Sequence, residues 1–77
     1  MSSSSGPTEV PIRDESIRLG QLLKLAGVVD DGAMARMVIE NAEVTVDGEV
    51  VVRRGTQVRP GQTVTYAGET LIVVRGA

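Results

Sequence analysis

The chain has no cysteine, no histidine, no tryptophan and no phenylalanine, and its only aromatic side chain is Tyr66. Each absence closes a class of function. Without cysteine there are no disulfides, thiolate nucleophiles or thiolate metal sites, and without histidine the usual general base and commonest metal ligand is missing as well. One aromatic residue cannot form a row of platforms for stacked bases. No apolar run approaches the roughly 20 residues that cross a bilayer, and the first residues lack the basic segment and apolar stretch of an export signal. The expected location is therefore the cytoplasm, with no membrane partner. The adjacent carboxylates Asp30 and Asp31 are followed by no third at loop-ligand spacing, so neither a metal nor a cofactor is expected.

What is present is aliphatic. Of 77 residues, 42% are hydrophobic, so one core of Val, Leu, Ile and Ala is expected, near the lower size limit for a domain without staples. The net charge of −2 argues against indiscriminate binding to polyanions, because phosphate affinity comes from Lys and Arg displacing counterions. The distribution points the other way. Residues 1–49 carry four basic side chains against nine acidic ones, a balance of −5, whereas residues 50–77 carry Arg53, Arg54, Arg59 and Arg75 against Glu69 alone, a balance of +3. A basic patch can bind what the average charge repels.

Residues 1–9 open with a Ser-rich run that cannot bury enough surface to offset its ordering entropy, so they are expected to form a disordered leader to a single domain at 10–77. Val10 and Ile12 alternate around Pro11, which fits an edge strand, since Pro cannot donate to a ladder. Leu19, Leu22, Leu23 and Ala26 fall at i, i+3, i+4 and i+7, one helical face, with Gln21 and Lys24 pointing away and Gly27 suited to the C-terminal cap. Asp30 and Asp31 can cap a second helix whose apolar stripe is Ala35, Val38, Ile39 and Ala42. Met34 and Met37 read as core filler. Gly20, inside the first helix, costs about 1 kcal/mol relative to Ala, and its role stays open.

After Ala42 the period becomes two. Val44 and Val46 share a face, Asp47-Gly48 marks a tight hairpin turn, and Glu49 to Val52 forms the returning strand. Pro60-Gly61 and Ala67-Gly68 mark further turns around Thr63 to Tyr66, and Leu71 to Val74 is apolar on both faces, as a central or covered strand would be. The pattern predicts an α+β fold: a two-helix hairpin packed on a small antiparallel sheet of four to five strands.

The runs IRLGQLLKLAG, GAMARMVIE, EVTVDGEVVVRRG and RPGQTV, in that order and spacing, resemble the S4 domain, the RNA-binding module named for the fourth protein of the small ribosomal subunit. The likeness spans about Val10 to Val74, and more narrowly the chain resembles the small stand-alone bacterial members, the YbcJ type. Arg18-Leu19 matches the opening of the family's first helix, Leu22 to Leu25 its Leu-Leu-Lys-Leu, and Gly32-Ala33-x-Ala35-Arg36 the start of its second helix. Val44-x-Val46-Asp47-Gly48 matches the family's hairpin, and Arg53-Arg54 the basic pair after it. The resemblance implies an αL RNA-binding motif that grips structured RNA, ribosomal or transfer RNA, along the helices and the adjoining hairpin. Three departures stand out. Asp31-Gly32-Ala33 replaces a frequent Ser-Arg-Ser and so lacks one phosphate-contacting Arg; Ala42 replaces the usual Gly; and Thr56 and Gln57 replace residues that are often basic.

The residues alone support a compatible mechanism. The N-terminus of the second helix, at Gly32 and Ala33, offers unpaired N–H groups and the positive end of a dipole. Lys24, Arg36, Arg53 and Arg54 can surround a phosphate there, with Arg18 and Arg59 as further contacts, and the forked donors of Arg suit phosphate oxygens. Each has a plainer reading: Lys24 and Arg36 as solvated charges on amphipathic helices, Arg53 and Arg54 as guards of a strand edge. The rival function is a protein-interaction adaptor whose acidic N-terminal half docks on a basic, ribosome-associated partner. An enzyme is not expected, because outside the leader the only Ser is Ser16 and no His is present to activate it. No small-molecule substrate is expected, and a monomer is.

Overall fold

In the computed structural model, which describes residues 6–53 and 55–76, the helical period read from the sequence is the period of burial. Strand β1 (Thr8–Ile12) and the short β2 (Ile17–Arg18) precede α1 (Leu19–Leu25) and α2 (Gly32–Glu40); β3 (Val44–Val46), β4 (Glu49–Val51), β5 (Gln57–Val58), β6 (Thr63–Tyr66) and β7 (Glu69–Arg75) follow. Leu19, Leu22 and Leu23 of α1 and Ala35, Val38 and Ile39 of α2 are buried in one cluster with the inward face of the sheet, which supplies Val10, Ile12, Val44, Val46, Val64, Tyr66, Leu71 and Val73. No buried polar side chain lies among the described residues. None of their helices is long and apolar enough to cross a membrane.

Both helices end in the same way. Gly27 (φ 77) donates to Lys24 O and Val28 to Leu23 O at the end of α1; Ala42 (φ 63) donates to Ile39 O and Glu43 to Val38 O at the end of α2. These paired bonds form the Schellman motif, whose left-handed position favours Gly. Ala42, expected on the apolar stripe of the helix, instead lies beyond its end and is exposed. Met37, expected in the core, is 55% exposed, because its position points away from the stripe of Ala35, Val38 and Ile39; Met34 packs partly against the core.

The α+β class and the five-stranded sheet agree with the sequence reading, with one difference in direction. The strand order is β1-β7-β6-β3-β4; β1 runs parallel to β7 while the other pairs are antiparallel, so the sheet is mixed rather than antiparallel. β1 and β7 come from opposite ends of the chain, and no turn between them constrains their direction. Pro11 lies on this edge strand. Thr8 and Glu9, assigned from the sequence to the leader, already belong to β1; residues 1–5 of that leader lie outside the described residues. A separate two-stranded ribbon, β2 with β5, was not expected: its strands are two residues each, too short to show a period.

The hairpin turns Asp47-Gly48 (φ 52 and 86) and Ala67-Gly68 (φ 52 and 83) both place two successive residues at positive φ, the geometry that matches strand twist. The first is braced from outside. Asp47 Oδ1 accepts from the Thr63 N–H at 2.9 Å and Oδ2 from Gln62 Nε2 at 3.1 Å, while Gln62 Oε1 accepts from the Arg59 N–H at 2.8 Å. The Thr63 amide, and after it the Gln62 amide, hold the Asp47 carboxyl below its ordinary value.

Candidate nucleic-acid interface

The buried leucines of α1 fix which way its polar residues face. With Leu19, Leu22 and Leu23 turned inward, Arg18, Gln21 and Lys24 fall along the exposed side. Arg18 is positioned by the ribbon: it pairs with Gln57 across β2 and β5, and the Leu19 N–H donates to Thr56 O at 2.8 Å. Those two links bring the start of α1 against the loop that follows β4. On α2, Asp31 caps the helix by accepting from the Met34 N–H at 2.8 Å, which leaves the amides of Gly32 and Ala33 without intrahelical acceptors, as in the first turn of any helix.

Two adjoining depressions result. The first, about 360 Å³, is lined by the cationic side chains Arg18, Lys24 and Arg36, by Gln21, and by the bare backbone of Gly20, Gly32 and Gly55. The second, about 580 Å³, is lined by Arg36, Glu40, Val52, Arg53, Gly55 and Thr56. Arg36 and Gly55 line both, so the two read as one trough running from the N-terminus of α2 to the end of the β3–β4 hairpin. A Cβ built on Gly32 or Gly55 meets nothing within 4 Å, which means that the fold itself does not require a glycine at either position. Among the described residues Glu40 is the one carboxylate lining either depression. It accepts from Arg36 Nε at 3.2 Å in an i,i+4 pair with both side chains more than half exposed, a geometry worth little in stability.

Of the residues singled out from the sequence, Arg18, Lys24, Gly32, Arg36 and Arg53 line the trough. Ala33 is exposed but lines neither depression, and neither does Arg59, whose N–H belongs to the turn network around Gln62. Arg54 lies outside the described residues. Gln21, Gly55, Val52, Thr56 and Glu40 were not expected in the site. Gln21 carried a signal, spaced three residues from both Arg18 and Lys24, and so did Glu40, four residues after Arg36. Thr56 carried one too, standing where the family is often basic, whereas Val52 carried none, because its placement depends on the ribbon. Among the described residues no group of three or more acidic side chains is placed to hold a metal ion.

The family model of the S4 domain matches residues 10–74. The chain belongs to the S4-domain family. This member is 41% identical over 58 residues to a protein of Escherichia coli (strain K12) named "Putative RNA-binding protein YbcJ", covering 75% of this chain and 83% of that one. It is also 41% identical over 59 residues, 77% and 83% of the two chains, to the Bacillus subtilis (strain 168) protein "Probable ribosome maturation protein RlbA". The solution structure of Escherichia coli YbcJ, described as revealing an αL motif involved in RNA-binding, superposes with a TM-score of 0.73 at 33% identity over 96% of this chain and 95% of that one. The ribosomal protein S4e of Thermoplasma acidophilum matches more distantly, with a TM-score of 0.58 at 26% identity over 75% of this S4-domain chain and 31% of that one.

Proposed function

We propose that this protein is a non-catalytic RNA-binding protein that holds structured RNA, ribosomal or transfer RNA, by phosphate contacts along the trough. The observation that carries the reading is the convergence of Arg18, Lys24, Arg36 and Arg53, drawn from three separated stretches, on two depressions that share Arg36. Relatives named for RNA binding and ribosome maturation support it. Phosphates seated beside Arg36 also meet the N–H groups at the start of α2, where the helix dipole adds attraction. Such contacts set affinity and register rather than base sequence. One copy supplies Arg18, Lys24, Arg36 and Arg53 of the trough, so a monomer suffices, and the cytoplasm, where ribosomes assemble, is the matching compartment.

Fluorescence anisotropy with a labelled RNA hairpin tests this reading. Replacing Arg53 by Ala removes one phosphate contact and is expected to weaken binding about equally for hairpins of different sequence. Binding that is unchanged in Arg18→Ala, Lys24→Ala, Arg36→Ala and Arg53→Ala variants alike contradicts the assignment.

A further inference from the structure

We infer that the second depression is a pocket for one unpaired nucleobase, selecting cytosine and adenine by the amino group each carries at C4 or C6; this rests on the RNA-binding reading and names what that site takes. A surface that only gathers phosphates gains nothing from a carboxylate or from an exposed aliphatic side chain, and this depression contains both. Val52 is 51% exposed on its wall. Glu40 accepts from Arg36 through Oε2, and Oε1 has no donor among the described residues. The Thr56 N–H donates to Arg53 O and the Thr56 carbonyl accepts from Leu19, so the backbone of Thr56 is occupied and its hydroxyl remains for a ligand.

The occupant that fits this set is a nucleotide turned out of a helix. Its phosphate lies between Arg36 and Arg53, its base lies against Val52, and an amino group donates to Glu40 Oε1. Cytosine at C4 and adenine at C6 have such a donor, whereas the corresponding position of uracil or guanine presents a carbonyl, which a carboxylate repels. The base must be unpaired, because the deep major groove of paired A-form RNA keeps these edges from protein side chains, and bulges and loops splay them out. An aromatic platform is not available to hold the base: Tyr66 is buried in the core, so an aliphatic face with hydrogen-bonding partners is what the chain can offer. The depression, at about 580 Å³, has ample room for a single base.

The test uses four hairpins identical except for one bulge position, carrying no bulge, uracil, cytosine or adenine, titrated with the full chain by anisotropy. Cytosine and adenine bulges are expected to bind about tenfold more tightly than the uracil bulge or the paired stem, in line with the discrimination of a good base-edge contact. Glu40→Gln, whose amide both accepts and donates, brings uracil level with cytosine; Val52→Thr lowers the advantage of the cytosine and adenine bulges over the paired stem. Both positions are exposed, and an unchanged circular-dichroism melt confirms that the variants fold. Equal, salt-dependent binding of all four hairpins overturns the base pocket and leaves the phosphate reading standing. A cytosine preference that persists in Glu40→Gln overturns the assignment to Glu40, and failure to bind any hairpin overturns both readings.

Discussion

Ala42 holds a φ of 63° at the end of α2, where a Cβ crowds its own backbone and glycine does not. The left-handed conformation costs an L-residue about 1–2 kcal/mol, so Ala42→Gly is expected to stabilise the protein by about 1 kcal/mol, a rise of roughly 4–8 °C in Tm for a domain of this size, less a few tenths for the freer unfolded chain. A thermal melt showing no rise would mean that the surrounding turn relieves the strain. Asp47 makes a different prediction. Its folded carboxyl titrates below the ordinary value of 3.8 because Thr63 and Gln62 donate to it, so its contribution is complete above that value and disappears as pH falls through the lower, folded one. Asp47→Asn keeps the turn but sets an amide donor against the Gln62 donor. The stability gap between wild type and this variant should therefore be widest at neutral pH and close in acid, as read from urea unfolding on both sides of pH 3.8. A gap independent of pH would remove charge from the explanation. Gly32 separates fold from function: with open space where its Cβ would stand, Gly32→Ala should leave stability within about 0.5 kcal/mol, yet weaken RNA binding by placing a methyl between phosphate and amide.

At the scale of elements, what the sequence made legible is what depends on local chemistry. The leucine spacing of α1, the Asp31 cap of α2 and the Asp47-Gly48 turn are each decided within a few residues, and each appears where it was expected. Elements whose form depends on distant partners were not legible. The direction of β1 is set by β7 at the other end of the chain, and β2 and β5 are strands only because Ile17 and Val58 meet across the two helices and the β3–β4 hairpin that separate them in sequence. The same division governs the site. Lys24 and Arg36 sit on helices whose facing follows from the period of their leucines and valines, whereas Val52, Gly55 and Thr56 reach the trough only through the ribbon that draws the loop after β4 onto α1. Met37 shows the limit of residue type as a guide, because a methionine beside a narrow apolar stripe is turned to solvent when the stripe is already filled by Ala35, Val38 and Ile39. α2 is itself held by that stripe: Ile39 is wholly buried, and Ile39→Ala should cost about 2–5 kcal/mol, measurable by denaturant unfolding. RNA affinity at temperatures where the variant stays folded should change little.

Over the whole molecule, the charge is divided along the sequence and regrouped by the fold. The N-terminal stretch is acidic on balance, yet it contributes Arg18, Lys24 and Arg36 to the same trough that receives Arg53 from the basic C-terminal stretch. Carboxylates are numerous, but among the described residues Glu40 alone lines that surface, and net charge therefore describes solubility better than it describes binding. The central claim is that the four cations neutralise phosphates together, and the most direct measurement is affinity for one RNA hairpin across a range of salt concentrations, for wild type and for Arg36→Gln. With roughly three to four phosphates engaged, log affinity should fall against log salt with a slope of about −2 to −3, and losing the side chain common to both depressions should make that slope shallower by about 1. A slope near zero for the wild type, or an identical slope for the variant, would contradict the claim.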